Sequence, residues 1–229
     1  MKTLGVVGGI APGSTMDYYR LLISEYRDAK QDGVYPSIVI NSIDLTRLLD
    51  LVGANRLEEL TGWLVQEVER LARAGAHLGL LASNTPHIVF DELAGRSPIP
   101  LLSIVEAASQ AVSELGLRSV GLLGTRFTMQ GRFYPDVFAR RGIAVRVPSP
   151  EDQTYVHEKY IQELIPGEFR SETRLEFLAI IARLRQNGAE GVLLGGTELP
   201  LLLRFTEADG LPLLDTTRIH VRRAVKAIL

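Results

Sequence analysis

The chain of 229 residues contains no cysteine. That absence removes disulfides, thiolate nucleophiles, zinc ribbons and iron–sulfur ligation together. It leaves the redox compartment undecided, because reducing and oxidising compartments both tolerate such a chain. There is no block of like charge either. Lys and Arg number 25 against 27 Asp and Glu, for a net charge of −2. A nucleic-acid binder normally carries a basic stripe, so this balance argues against nucleic acid as the main partner. No apolar run approaches the roughly 20 residues of a membrane span. Leu4–Val7 is too short for a signal peptide before glycines interrupt it. The expectation is a soluble, cytoplasmic protein without a membrane partner. No short-period repeat, linker or low-complexity tract is visible. What is present is ordinary globular material, 46% hydrophobic and 23% charged, enough for one large core or two small ones.

Short β-branched runs alternate with longer amphipathic segments. Leu4–Val7 reads as a buried strand, followed by Gly8-Gly9 and a helix capped by Ser14 or Thr15 that carries Tyr18, Tyr19, Leu22 and Tyr26. Pro36–Asn41 is a second strand. A long helix runs from about Ala54 to Ala74, with Leu57, Leu60, Leu64, Val68 and Leu71 at helical spacing. His77–Ala82 is a third strand, and Pro86 suits the first turn of the helix after it. The scheme then repeats: strands at Pro100–Ile104, Arg118–Gly124, Ile143–Val147, Gly191–Gly196 and Leu213–Asp215, with an Ala-rich helix to about Leu115 and helices at Met129–Arg141, Thr154–Leu164 and Ser171–Asn187 and at the C-terminus. This alternation predicts an α/β fold of parallel sheets covered by helices. Similar strand endings, LLASNT at Leu80–Thr85 and VLLGGTE at Val192–Glu198, suggest two related lobes. Their boundaries are expected at residues 1–99 with 212–229, and at 100–211. Ligands in such folds lie at the carboxyl ends of the strands.

Three strand-end loops are therefore the candidates for chemistry. Gly8 to Thr15 (GGIAPGST) nearly spells a phosphate loop, but the Lys that should follow Gly13 is missing, and the dinucleotide glycine spacing fails. It reads either as a tight strand-to-helix turn or as a helix N-terminus offering amides and hydroxyls to a small anion such as a carboxylate. Ser83-Asn84-Thr85-Pro86-His87 is a donor-rich pocket for a carboxylate, or simply a helix cap. His87 lies a turn into that helix, where hydrogen-bonded packing is favoured over acid–base work. Gly195-Gly196-Thr197-Glu198 places one ionisable group, Glu198, beside a hydroxyl donor, Thr197. Arg47, in the polar loop after Asp44-Leu45-Thr46, is a solvated cation or an anion clamp. His77 begins a strand and His157 lies in a helix. His220 follows Asp215-Thr216-Thr217, and no His pairs with carboxylates at metal-ligand spacing.

Together these loops resemble the aspartate/glutamate racemase family. GVVGGIAPGSTMDYYRLL is similar to its Gly-Gly-Met…Ser-Thr…Tyr-Tyr-Arg opening, and SNTPH stands where the family has Cys-Asn-Thr-x-His. LLGTRFTM matches its Gly-Thr…Thr-Met strand end, VLLGGTELPLL stands where it has Gly-Cys-Thr-Glu-Leu, and LLDTTRIH matches its Asp-Thr…His close. The motifs occur in order over nearly the whole chain. The resemblance implies two pseudo-symmetric flavodoxin-like lobes with the active site in the cleft between them. It further implies a homodimer, a small amino acid or carboxylate as ligand, and neither cofactor nor metal. It assigns the α-carboxylate to Asn84, Thr85 and Thr197 with backbone amides near Gly8 and Thr15, and places Thr125 and Thr128 in the same binding set. Arg47 would meet a side-chain carboxylate.

The chain departs from that family at the chemistry. In the family one cysteine removes the α-proton and a second delivers a proton on the opposite face, which suits a thiol of pKa about 8.5. Here Ser83 holds the first cysteine position and Gly196 the second. A serine hydroxyl needs a neighbouring base, and glycine has no side chain. The expected function is an isomerase of this family in which Ser83, Glu198 or a water in the space at Gly196 replaces the thiols. The alternatives are a one-base isomerase or lyase on a related acid, and a binding protein without turnover. Around Tyr160–Phe169 no Lys is evident for a second clamp, so a preference for dicarboxylates does not follow.

Overall fold

A computed structural model describes residues 2–229. The chain folds as two compact units. The first runs to Ile104 and takes in His220–Leu229; the second is Val105–Ile219.

The first unit holds four parallel strands, β1 (Leu4–Gly8), β2 (Ile38–Ser42), β3 (Leu78–Leu81) and β4 (Leu101–Leu102), in the order β2-β1-β3-β4. β1 and β3 are buried along their whole length, as their unbroken apolar runs require of strands covered on both faces. The helices are α1 (Pro12–Lys30), α2 (Leu45–Gly53), α3 (Leu57–Arg73) and α4 (Phe90–Arg96), with a 3₁₀ turn at Thr85–Val89. α3 lies directly on β1: a Cβ on Gly5 would sit 3.1 Å from the Leu71 side chain, and 3.0 Å from the Cβ of Ala76 just beyond the helix. The core joins Leu4, Val6, Tyr18, Leu22 and Leu80 to Val221, Ala224, Val225 and Ile228 from the end of the chain. Each of the Leu, Val and Ile side chains among them contributes about 1.5–3 kcal/mol on burial.

The second unit repeats this order. β5 (Ser119–Gly124), β6 (Ala144–Arg146), β7 (Val192–Gly195), β8 (Glu207–Ala208) and β9 (Leu211–Asp215) line up as β6-β5-β7-β9-β8. All pairs are parallel except the β8–β9 hairpin. Asp209 and Gly210, with φ of 51° and 71°, make the two-residue turn of that hairpin. With the sheet belong α5 (Ile104–Glu114), α6 (Arg126–Gln130), α7 (Phe133–Ala139), α8 (Pro150–Lys159), α9 (Ser171–Gln186) and α10 (Leu199–Leu202), whereas α11 (Thr216–Ile228) is part of the first unit from His220 onward. A π turn, Tyr160–Leu164, prolongs α8. Leu123, Phe177, Ile180, Ile181, Leu184, Val192 and Leu194 are among its core residues.

Several elements differ from expectation. The boundaries expected at 99/100 and 211/212 shift, because Leu101–Leu102 pairs with β3 and Leu211–Asp215 pairs with β7. α1 is capped at Ala11, not at Ser14 or Thr15, because Pro12 already takes the first helical position. Residues 45–53 form α2 rather than a loop, since Asp44 accepts the Thr46 amide at 2.8 Å and caps it. The single helix expected over 129–141 breaks into α6 and α7 at Gly131. Among the described residues no helix is long and apolar enough to cross a membrane.

Candidate active site

A strand order of 2-1-3-4 reverses direction between its first and third strands, and ligands in open α/β sheets sit at the carboxyl ends of the strands at that reversal. In the first unit the reversal lies between β1 and β3, where Val7 pairs with Leu81. In the second it lies between β5 and β7, where Gly124 pairs with Gly195. The three loops singled out in the sequence, and Thr125 with them, leave their sheets at these four strand ends.

After β1 the chain turns tightly into α1. Gly9 adopts φ 85°, and a Cβ there would lie 2.3 Å from the Ile43 carbonyl oxygen. The Gly9 amide donates to Thr15 Oγ1 at 2.7 Å, and Thr15 Oγ1 donates to the Ala11 carbonyl at 3.3 Å. Ser14 Oγ also donates to Ala11, at 2.7 Å. Thr15 packs so closely that a Cβ on Gly8 would sit 2.5 Å from its methyl. Thr15 thus holds the turn together, and its hydroxyl is already engaged in doing so.

After β3, Ser83, Asn84 and Thr85 are buried, and the Asn84 side chain does not cap the 3₁₀ turn. His87 is a structural residue. Its Nε2 receives the Ile104 amide at 3.2 Å, so it is an acceptor, and Nδ1–H then donates to the Ser83 carbonyl at 3.0 Å. The bond goes to the Ser83 backbone and not to its hydroxyl. Burial, then the nearby His220, drive the His87 pKa down to about 3. His220 has the opposite tautomer: Nε2–H donates to the Leu102 carbonyl at 3.0 Å, and Nδ1 accepts from the Tyr18 hydroxyl at 2.9 Å. Burial lowers its pKa to about 4. Both imidazoles are neutral at physiological pH, with both nitrogens of each engaged. Of the tyrosine pair, only Tyr18 is core; Tyr19 is 49% exposed.

In the second unit Thr125 caps α6, accepting the Thr128 amide at 3.3 Å, with the two hydroxyls 3.2 Å apart. Thr128 is fully buried and lies against Gly124, where a Cβ would be 3.0 Å from it. Thr128 supports the loop from beneath. At the β7 end, Thr197 Oγ1 donates to Glu198 Oε2 at 2.8 Å, and the Tyr160 hydroxyl donates to the same oxygen. All three side chains are buried. Burial first, and then the Glu198 charge, hold the Tyr160 phenol well above its ordinary pKa.

Gly196 does not face a space that would hold a water. A Cβ there would lie 2.4 Å from Tyr160 Cε2, 2.7 Å from its hydroxyl oxygen and 2.8 Å from Cζ. Tyr160 fills the volume next to the position where the sequence motif lacks a side chain. Sequence reasoning passed over this tyrosine, although the Gly195-Gly196 pair at a strand end is the usual mark of a close approach.

The remaining candidates are less central. Arg47 lies in the first turn of α2, exposed, with its guanidinium 4.5 Å above the Trp63 ring. Lys159 is bound to Glu163 at 2.5 Å. Among the carboxylates at strand ends, Asp44 caps α2, and Asp215 accepts the Arg218 amide at 3.1 Å and pairs with its side chain. Glu198 is the buried one. Among the described residues no group of three His, Asp or Glu side chains is placed to hold a metal ion.

Comparison with known proteins bears on what these loops are. Residues 7–224 match the model of the Asp/Glu/Hydantoin racemase family. The structure of an aspartate racemase homologue from Pyrococcus horikoshii OT3 superposes with a TM-score of 0.85 at 32% identity, covering 100% of this chain and 99% of that one. The broad specificity amino-acid racemase RacX of Bacillus subtilis is 23% identical over 165 residues, 71% of this chain and 67% of its own length. Glutamate racemase from Francisella tularensis, solved with D-glutamate, shares the fold with a TM-score of 0.70 at 16% identity, over 99% of this chain and 80% of that one.

Proposed function

Because the chain belongs to the Asp/Glu/Hydantoin racemase family, we propose that it binds a small amino acid or related carboxylic acid and moves a proton at the α-carbon by one-base chemistry. One observation carries this reading. The hydroxyl- and amide-bearing loops Ser83-Asn84-Thr85 and Thr197-Glu198 leave the sheets where the strand order reverses, with Glu198 the buried carboxylate at the strand ends. In the first unit Asn84 and Thr85, with backbone amides of the β1–α1 turn kept in shape by Gly8 and Thr15, offer hydrogen bonds to a carboxylate; in the second unit Thr197 offers its hydroxyl. Thr125 and Thr128 shape the adjoining loop. Arg47, its guanidinium laid on Trp63, meets a second carboxylate where the ligand has one.

Two-thiol transfer has no residues here, since the chain has no cysteine. Ser83 does not replace a thiol as a base, because His87 bonds its carbonyl and is neutral with both nitrogens engaged. Glu198 remains as the final proton acceptor, and a site with one such acceptor exchanges or shifts a proton without inverting the centre. The protein requires no cofactor for this and acts as a soluble homodimer in the cytoplasm.

The test is proton NMR in D₂O with L- and D-aspartate and L- and D-glutamate, reading ligand line broadening and loss of the α-proton signal in the same tubes. Broadening with α-proton exchange and retained configuration is expected. Exchange accompanied by inversion would overturn the one-base reading. Absence of broadening with all four acids would overturn the ligand class.

A further inference from the structure

We propose that the Tyr160 hydroxyl, hydrogen-bonded to Glu198, is the group that takes and returns the proton at the β7 strand end, standing where a side chain of residue 196 would stand. The proposal rests on the reading above and names the atom that acts. A Cβ on Gly196 would be as close to the hydroxyl oxygen, 2.7 Å, as to the ring carbon that bears it, 2.8 Å. With Cε2 nearer still, at 2.4 Å, it is the hydroxyl-bearing edge of the ring that occupies the position residue 196 leaves empty. A side chain at residue 196 would overlap the ring unless Tyr160 shifted.

The tyrosine is held in that place by dedicated structure. It opens the π turn Tyr160–Leu164, and such turns are rare and concentrate at functional sites. The turn is pinned by Glu163, a buried carboxylate that accepts from Lys159 Nζ and from Thr173 Oγ1, each at 2.5 Å, with Arg170 at 3.6 Å. Behind it, Leu164 is part of the core with Phe177 and Leu194. At the other end, Glu198 Oε2 accepts from both Tyr160 and Thr197, so the proton rests on the phenol and the carboxylate is its acceptor.

The step balances without any further reactant. As the α-C–H bond breaks, its electron pair stays on carbon and the proton goes to Tyr160 Oη. The original phenol proton passes at the same time to Glu198 Oε2. The products are the carbanion, stabilised through its own carboxylate as an enolate, and a protonated Glu198. The reverse sequence returns a proton from the same oxygen.

Tyr160→Phe is the discriminating variant, because phenylalanine keeps the ring against Gly196 and removes only the oxygen. Exchange of the α-proton of aspartate and glutamate in D₂O is measured for the wild type, Tyr160→Phe and Glu198→Gln, with melting temperature as a check on folding. Exchange slowed about 100-fold or more in both variants, with line broadening retained, is the expected result for loss of a proton-transferring group. Exchange at the wild-type rate in Tyr160→Phe would overturn the proposal, as would wild-type binding without exchange. A wild type that broadens none of the four acids overturns the ligand class and, with it, this step. A purely structural tyrosine would change melting and leave exchange per folded molecule unaltered.

Discussion

Acid should destabilise the first unit through two histidines, and the size of the effect follows from their surroundings. His87 and His220 stand with ring centroids 6.3 Å apart, buried and neutral, with pKa values of about 3 and about 4 in the folded chain. In the unfolded chain each titrates near its ordinary value of about 6.5. Between these limits the unfolded state binds more protons, so stability is complete above pH 6.5 and falls as the pH drops towards the folded values. Each histidine contributes a slope of about 1.4 kcal/mol per pH unit, and the pair should remove about 5 kcal/mol by pH 4.5. That is as large as the whole stability of many domains. Urea unfolding from pH 7 to 4.5 measures it, followed by the fluorescence of Trp63, the chain's one tryptophan, which lies on α3 in the same unit. His220→Gln, whose amide can donate to the Leu102 carbonyl and accept from Tyr18, should halve the slope between pH 6 and 5. A slope that is flat in the wild type, or unchanged by His220→Gln, would refute the tautomers and the neutral state assigned from the hydrogen bonds.

Two further outcomes follow from close contacts. Gly196→Cys, which places a thiol at that position, should cost about 1–3 kcal/mol by overpacking against Tyr160, read as a shift in urea midpoint. The same substitution in a Tyr160→Ala background should be close to neutral, and a penalty that persists there would mean the clash lies elsewhere. Thr15→Val leaves the Gly9 amide without its acceptor and should cost about 1–3 kcal/mol. Thr15→Ser should recover most of it in the same denaturation assay.

The alternation of apolar runs with amphipathic segments was sufficient to read an α/β fold with parallel sheets, because a strand covered on both faces must be apolar throughout. The strand-end loops were legible for a similar reason: glycines, hydroxyls and amides crowd there, in a pattern that resembles one family. Local punctuation was less secure. Pro12 moved the start of α1, Asp44 started an unforeseen helix, and Asp209-Gly210 made a hairpin whose two-residue signal stood in the sequence.

The sequence determined that no thiol acts in this protein and that Ser83, Gly196 and Glu198 stand at its strand ends. Tertiary structure decided what those residues can do. It turned His87 towards the Ser83 carbonyl and away from its hydroxyl. It engaged the Thr15 and Thr128 hydroxyls within their own loops, and it brought Tyr160 from 36 positions earlier in the chain onto Gly196. Periodicity and motifs record which residues a local segment needs. The neighbour that fills a vacant side-chain position is set by how helices pack over a sheet, and no spacing along the chain encodes it.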